Sequence, residues 1–335
     1  MDKKRKDGDG VRFPVRRTGA TQASAFPGTP TVPSPGLSTT GPIAKKLVAA
    51  ITKQAHGKLV DLKAAIEGRT AAIEEQKTVV TKDELAALHP AHAAYVFAQN
   101  QVSVISEQIT SLDEMAPFVE LVTRAEDLYR PSGPPMSPLT NSYFTSWAFF
   151  DACVGAANET IGTCILEAGV TLGMTGELVR LIQVMQRSRM GVYVLEGRQG
   201  DLATLREIGT GSACRAIVPA GHRGQAGELW YVRVLPPPAP GIVEHVAFST
   251  PYVLLEPGPA EWQAYFGRAL PEAPPPARLD AYERHMKYGP TRTYWNDFVF
   301  EGYVNHRPEA IFLAGLPDVP DSRPLSAVNN RPSCR

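Results

Sequence analysis

The chain has 335 residues, 43% of them hydrophobic, and its 34 basic side chains balance 34 acidic ones to a formal net charge of zero. The length suits two domains of ordinary size, and the neutral balance excludes a whole-chain attraction to nucleic acid or to anionic membrane. There is no apolar run approaching the roughly 18 residues of a membrane span and no apolar signal core behind the charged start, so a cytoplasmic location is expected; four cysteines are too sparse for a disulfide framework.

Residues 1–42 read as a disordered tail. Lys3, Lys4, Arg5, Lys6, Arg12, Arg16 and Arg17 face only Asp2, Asp7 and Asp9 over residues 1–17, a local excess that can touch phosphates, and the remainder is rich in Pro, Gly, Ser and Thr without apolar period. Residues 43–130 read as a helical hairpin. Ile43, Leu47, Ile51, Leu59, Leu62, Ile66 and Ile73 form one stripe, and Tyr95, Ala98, Val102, Ile105, Ile109 and Leu112 form a second, with the turn near Val79. Thr81 and Glu84 have the spacing of a capping box, and Pro90 interrupts or restarts the helix that follows. Paired stripes of this kind suit a coiled coil, closed either on the rest of the chain or on a second copy.

Ser132–Pro138 is a stiff linker, and residues 139–317 are expected to form an α+β domain. Ser142 to Glu167 is compatible with one continuous aromatic helix, which would hold Asp151, Cys153, Asn158, Glu159 and Cys164. Thr175 is placed to cap the next helix. The β-core spans about 190–256, where short apolar runs alternate with Gly, Asp and Pro. In Glu228–Leu235 the odd positions Leu229, Tyr231, Arg233 and Leu235 share one face, and Trp230, Val232 and Val234 share the other, so both faces of that strand are buried. A small antiparallel curled sheet or barrel results. Three helices then follow, over 261–270, 278–287 and 291–305, before a tail at 318–335.

Common nucleotide, metal and nucleophile motifs are absent from the sequence, and neither a cofactor nor a metal is assigned. The densest polar and aromatic cluster runs from Tyr282 to Glu309. Asp297 and Glu301, four residues apart on a helix with His306 nearby, are the candidates for acid and base chemistry; His285, Lys287, Tyr288, Arg292, Trp295 and Asn305 are the candidate binding residues. The alternative is that Arg292, Asp297 and Glu301 fasten this segment to the β-core. The leading functional expectation is a noncatalytic intracellular binding or scaffold protein that meets a protein partner, or itself, through the N-terminal helices. A metal-dependent or acid–base hydrolase on Asp297, Glu301 and His306 is the second, and a nucleic-acid-associated protein acting through residues 1–17 is the third.

Overall fold

The computed structural model describes residues 41–55, 80–130 and 137–319. The two expected tails, but for residues 41–42 and 318–319, the apolar positions Leu59, Leu62, Ile66 and Ile73, the turn near Val79 and most of the Ser132–Pro138 linker lie outside these residues.

Seven described helices precede the sheet: α1 (Pro42–Ala55), α2 (Lys82–Ala86), α3 (Pro90–Ile109), α4 (Ala116–Tyr129), α5 (Asn141–Phe150), α6 (Ile161–Ala168) and α7 (Gly176–Arg187). Their starts follow local chemistry. Thr81 and Glu84 make the capping box of α2, Pro90 is the first residue of α3, and the Thr140, Thr160 and Thr175 hydroxyls accept backbone N–H bonds that open α5, α6 and α7. On α3 the buried stripe is Ala91, Tyr95, Ala98, Val102, Ser106 and Ile109. Ile105 is only half-buried, because the inward position at that turn falls on Ser106.

The single aromatic helix expected over Ser142–Glu167 is broken into α5 and α6. Between them the chain turns through Gly155 at φ +70° and Asn158 at φ +50°, and Val154 and Glu159 pair as an isolated antiparallel bridge. A left-handed glycine and asparagine cannot continue a right-handed helix. Asp151, Cys153 and Glu159 consequently lie in the connection and not on a helical face, while Cys164 lies on α6.

The fold is α+β, with helices on either side of a central sheet in chain order. Its strands are β1 (Arg189–Gln199), β2 (Leu202–Glu207), β3 (Ala213–Ile217), β4 (Leu229–Leu235), β5 (His245–Ala247), β6 (Tyr252–Leu254), β7 (Tyr303–Arg307) and β8 (Ala310–Leu313). β1, β2 and β3 form an antiparallel meander, and β4 returns to the free side of β1. β5 then lies antiparallel to β4 and parallel to β3, so five strands close on themselves as a small Greek-key barrel. β6 extends the sheet from the first half of β4, β8 joins β6 in parallel, and β7 is the outer strand.

The two faces of β4 separate as its alternation predicts. Trp230, Val232 and Val234 enter an apolar cluster with Leu195, Ala203, Leu205, Ala216 and Ala247. Leu229, Tyr231 and Leu235 join a larger one shared with the helices on both sides in sequence. After the sheet come α8 (Pro259–Ala269), α9 (Pro275–Tyr288) and α10 (Tyr294–Glu301). The helix expected to run to Asn305 stops at Glu301, since Gly302 donates its N–H back to Phe298 and its carbonyl accepts from Ala314, turning the chain into the β7–β8 hairpin.

Candidate functional site

Polar side chains meet where α5, β4 and α9 converge. Tyr143, Trp147 and Asp151 follow one another at four-residue steps along α5 and its C-cap, and so share one side of it. At the far end the Asp151 carboxylate receives a two-pronged bond from Arg233 of β4, at 2.6 and 3.1 Å, and a third from Lys287 Nζ at 2.9 Å. Arg233 Nε also donates to Ser188 Oγ, and Nη2 to the Ser188 carbonyl. Lys287 Nζ completes its set of three donors on the carbonyls of Gln186 and Ser188, at 2.6 and 2.9 Å. All three charged residues are at most 7% exposed.

Burial pulls the Lys287 ammonium down to about 8 against the opposing attraction of Asp151. The carbonyls it meets belong to the C-terminal end of α7, where the helix presents its negative pole. One carboxylate and two cations therefore tie the end of α5, the α7–β1 junction, β4 and the end of α9 together. Each of these groups is satisfied by its neighbours, which is the arrangement of a fastener.

The residues of the 282–309 cluster separate into three places. His285 faces inward, with Nε2 2.6 Å from the Tyr265 hydroxyl, which in turn lies 2.9 Å from that of Tyr294, while Trp295 Nε1 donates to the His285 carbonyl. Burial pushes His285 down to about 4. Tyr288 is half-buried beside Lys287, and Trp295 stacks on Tyr231 with ring centroids 5.3 Å apart. Asp297, at the start of α10, accepts from Tyr129 of α4 and from Thr293 at 3.0 Å. Its fastening partner is thus a tyrosine of α4, and no ion pair joins it to Arg292. Glu301 ends α10, half-buried. Asn305 and His306 lie exposed on β7, and His306 Nδ1 is 2.6 Å from the Tyr303 hydroxyl. Asp297 and Glu301 share α10 as expected, but His306 is carried by a strand.

Two further polar groups occupy the β-core. Arg189 and Glu207, paired at 2.5 Å inside the sheet, sit with the Arg189 guanidinium over the Tyr282 ring of α9. Burial raises Glu207, but Arg189 together with the Thr210 and Tyr282 hydroxyls outweighs it, and the carboxyl is held below its ordinary value. In the β3–β4 connection, Glu228 accepts from Trp230 Nε1 at 3.0 Å and lies 3.1 Å from His222 Nε2, with the imidazole tilted over the indole. His222 is buried, so this connection turns its histidine toward the sheet and not toward solvent. The Gly209–Ser212 segment is a tight turn in which Thr210 bonds Glu207.

Sequence reasoning placed Arg233 on the correct face of its strand, yet its partner lies 82 positions away and Lys287 lies beyond both. A charged residue at the centre of a strand apolar on both sides was the available signal, since such a cation requires a buried anion. Glu159 gave a similar signal. It is 1% exposed and accepts the N–H groups of Ile43 and Ala44 at 3.0 and 2.8 Å, capping α1 from a distance in sequence.

Among the described residues, no group of three or more His, Cys, Asp and Glu is placed to hold a metal ion. No described helix is long and apolar enough to cross a membrane. The three buried or half-buried described cysteines, Cys153, Cys164 and Cys214, are free thiols, and burial raises all three. No family model, no curated protein and no solved structure matches this chain.

Proposed function

We propose that the chain is a noncatalytic binding or scaffold protein, with the N-terminal helices as the surface that meets a protein partner or a second copy. The observation that carries this is the engagement of Asp297, His285, Lys287 and Asp151 in bonds between separate elements of the fold, which makes them fasteners. On α3, Val96 and Val104 lie outside the buried stripe and are half-buried, so part of each apolar side chain is open to a partner.

Sedimentation of the full chain over a concentration series, beside Val104→Asp, tests the surface. Mass should rise with concentration in the natural chain, and the substitution should abolish the rise. A screen against ester, phosphoester, glycoside and peptide substrates tests the absence of catalysis. Turnover that Asp297→Asn removes, in a protein still folded and monomeric at every concentration, would replace this proposal with the hydrolase reading.

A further inference from the structure

The seam that carries the buried fastener continues beyond it. Along α5, Tyr143 donates to Asn296 Oδ1 at 2.9 Å, Trp147 Nε1 donates to the Arg292 carbonyl at 3.3 Å, and Asp151 meets Lys287. The 287–296 segment therefore runs antiparallel to α5, with Arg292 midway between Asn296 and Lys287. Neighbouring steps are about 6 Å apart, the rise of one helical turn and a little more. β4 forms the third wall, where Tyr231 and Arg233 share the face turned to the helices.

Three residues on this seam carry a buried polar atom without a hydrogen bond of normal geometry. The Asn296 side chain is 0% exposed and its Nδ2 amide makes no hydrogen bond. Arg292 is half-buried, with its Nε buried and unbonded. The Tyr231 hydroxyl, beside that of Tyr143, is also buried without a hydrogen bond of normal geometry. All three are able to donate. The carboxylates nearby are already engaged, Asp151 by Arg233 and Lys287, and Asp297 by Tyr129 and Thr293.

A seam with three cations, one directly bonded carboxylate and surplus donors lacks negative charge and acceptor atoms. Burying such donors unpaired costs free energy that an oxygen-rich anion would recover. The planar fork of an arginine matches the oxygens of a carboxylate or phosphate group. Cys153 reports the same local field. Burial pushes its thiol up to about 12, with Lys287 pulling against that rise, Asp151 adding to it and Arg292 pulling against it.

We propose that this seam binds a small oxyanion, a carboxylate or phosphate group, on Arg292, with Asn296 Nδ2 and the Tyr231 hydroxyl as the supporting donors. An ordered water could satisfy one or two of the donors, but it would supply no charge for Arg292 and would not compete with added anions. The site differs from the protein-binding surface on α3 and stands whether or not that surface holds.

The test is the thermal midpoint of the full chain titrated with acetate or with phosphate, using chloride to hold ionic strength constant. Either oxyanion should raise the midpoint saturably above the chloride control, and the one that does so identifies the group. Arg292→Gln should remove the response, and Asn296→Ala should weaken apparent affinity about tenfold, the loss of one well-placed bond. If Arg292→Gln does not fold, Arg292→Lys keeps the charge without the fork and should also weaken the response. Line broadening of isotope-labelled acetate by the natural chain, reversed by excess unlabelled acetate or phosphate, reads occupancy without any variant. A natural chain that gives neither a saturable shift nor reversible broadening overturns the proposal, as does an undiminished response in Arg292→Gln.

Discussion

The two faces of β4 are built on opposite principles within one seven-residue strand. Inside the barrel, Trp230, Val232 and Val234 pack in an apolar cluster, and the polar contacts are confined to Trp230 at the rim, where the indole N–H reaches Glu228 and the His222 imidazole tilts over the ring. On the helix side, Leu229, Tyr231 and Leu235 frame Arg233, whose charge is answered by groups from α5, the α7–β1 junction and, through Asp151, α9. Apolar contact is tolerant of partner and angle, so the barrel interior fixes density more than orientation. The buried ionic set tolerates neither a missing partner nor a changed direction, and it joins four elements far apart in sequence. Cohesion on one face and orientation on the other are thereby assigned to different chemistry.

The comparison breaks first at Asp151. Asp151→Asn leaves Arg233 and Lys287 buried without an anion and should cost about 3–5 kcal/mol in chemical denaturation; a loss below about 1 kcal/mol would mean that the cations find other partners and that the ionic set orients nothing. The next effect is an acid response on the helix side. His285 binds its proton less readily folded, near pH 4, than unfolded, near 6.5, so the unfolded state takes up more protons between those values. Stability should therefore be greatest above pH 6.5 and decline as pH falls toward 4, by on the order of 3 kcal/mol at most from this group. His92 and His245, also lowered by burial, add to the decline with the same sign. His285→Gln should flatten the profile, and an unchanged slope would show that His285 is not the group responsible.

Inside the barrel, Val232→Ala should cost about 2 kcal/mol through lost apolar contact and a small cavity. That cost should be the same at pH 5 and pH 8, which a pair of denaturation curves would check. The smallest effect belongs to the outer surface. Arg206 and Glu196 pair at 2.5 Å with half the arginine side chain exposed, so Arg206→Ala should change stability by less than about 1 kcal/mol and matter less still in high salt.

The strands from β1 to β6 were legible because each repeats at two residues and ends at Gly, Asp or Pro. Both faces of β4 could even be assigned. The β7–β8 hairpin was not, since Trp295, Phe298, Val299 and Tyr303 continue a helical spacing through Gly302, and only tertiary pairing with β6 shows where the period changes. α5 and α6 merged for a related reason. Apolar residues run through the connection, and the left-handed backbone at Gly155 and Asn158 leaves a weak mark in composition. The 282–309 region was visible as a dense polar cluster, but its members turn to different neighbours. Spacing along one helix set Asp297 and Glu301 together and did not reveal that Tyr129, 168 positions away, bonds Asp297.

The cap on α1 carries a consequence for where the chain can be altered. Glu159 recognises two backbone N–H groups, which every residue but proline offers, so the clasp places little demand on the side chains at positions 43 and 44 beyond their packing. Its demand falls on Gly41, where a Cβ would lie 2.1 Å from the Glu159 carboxyl carbon. Any bulkier amino acid at 41 would push the Glu159 carboxylate away from the helix end, leaving α1 held by the packing of Ala44 and Leu47.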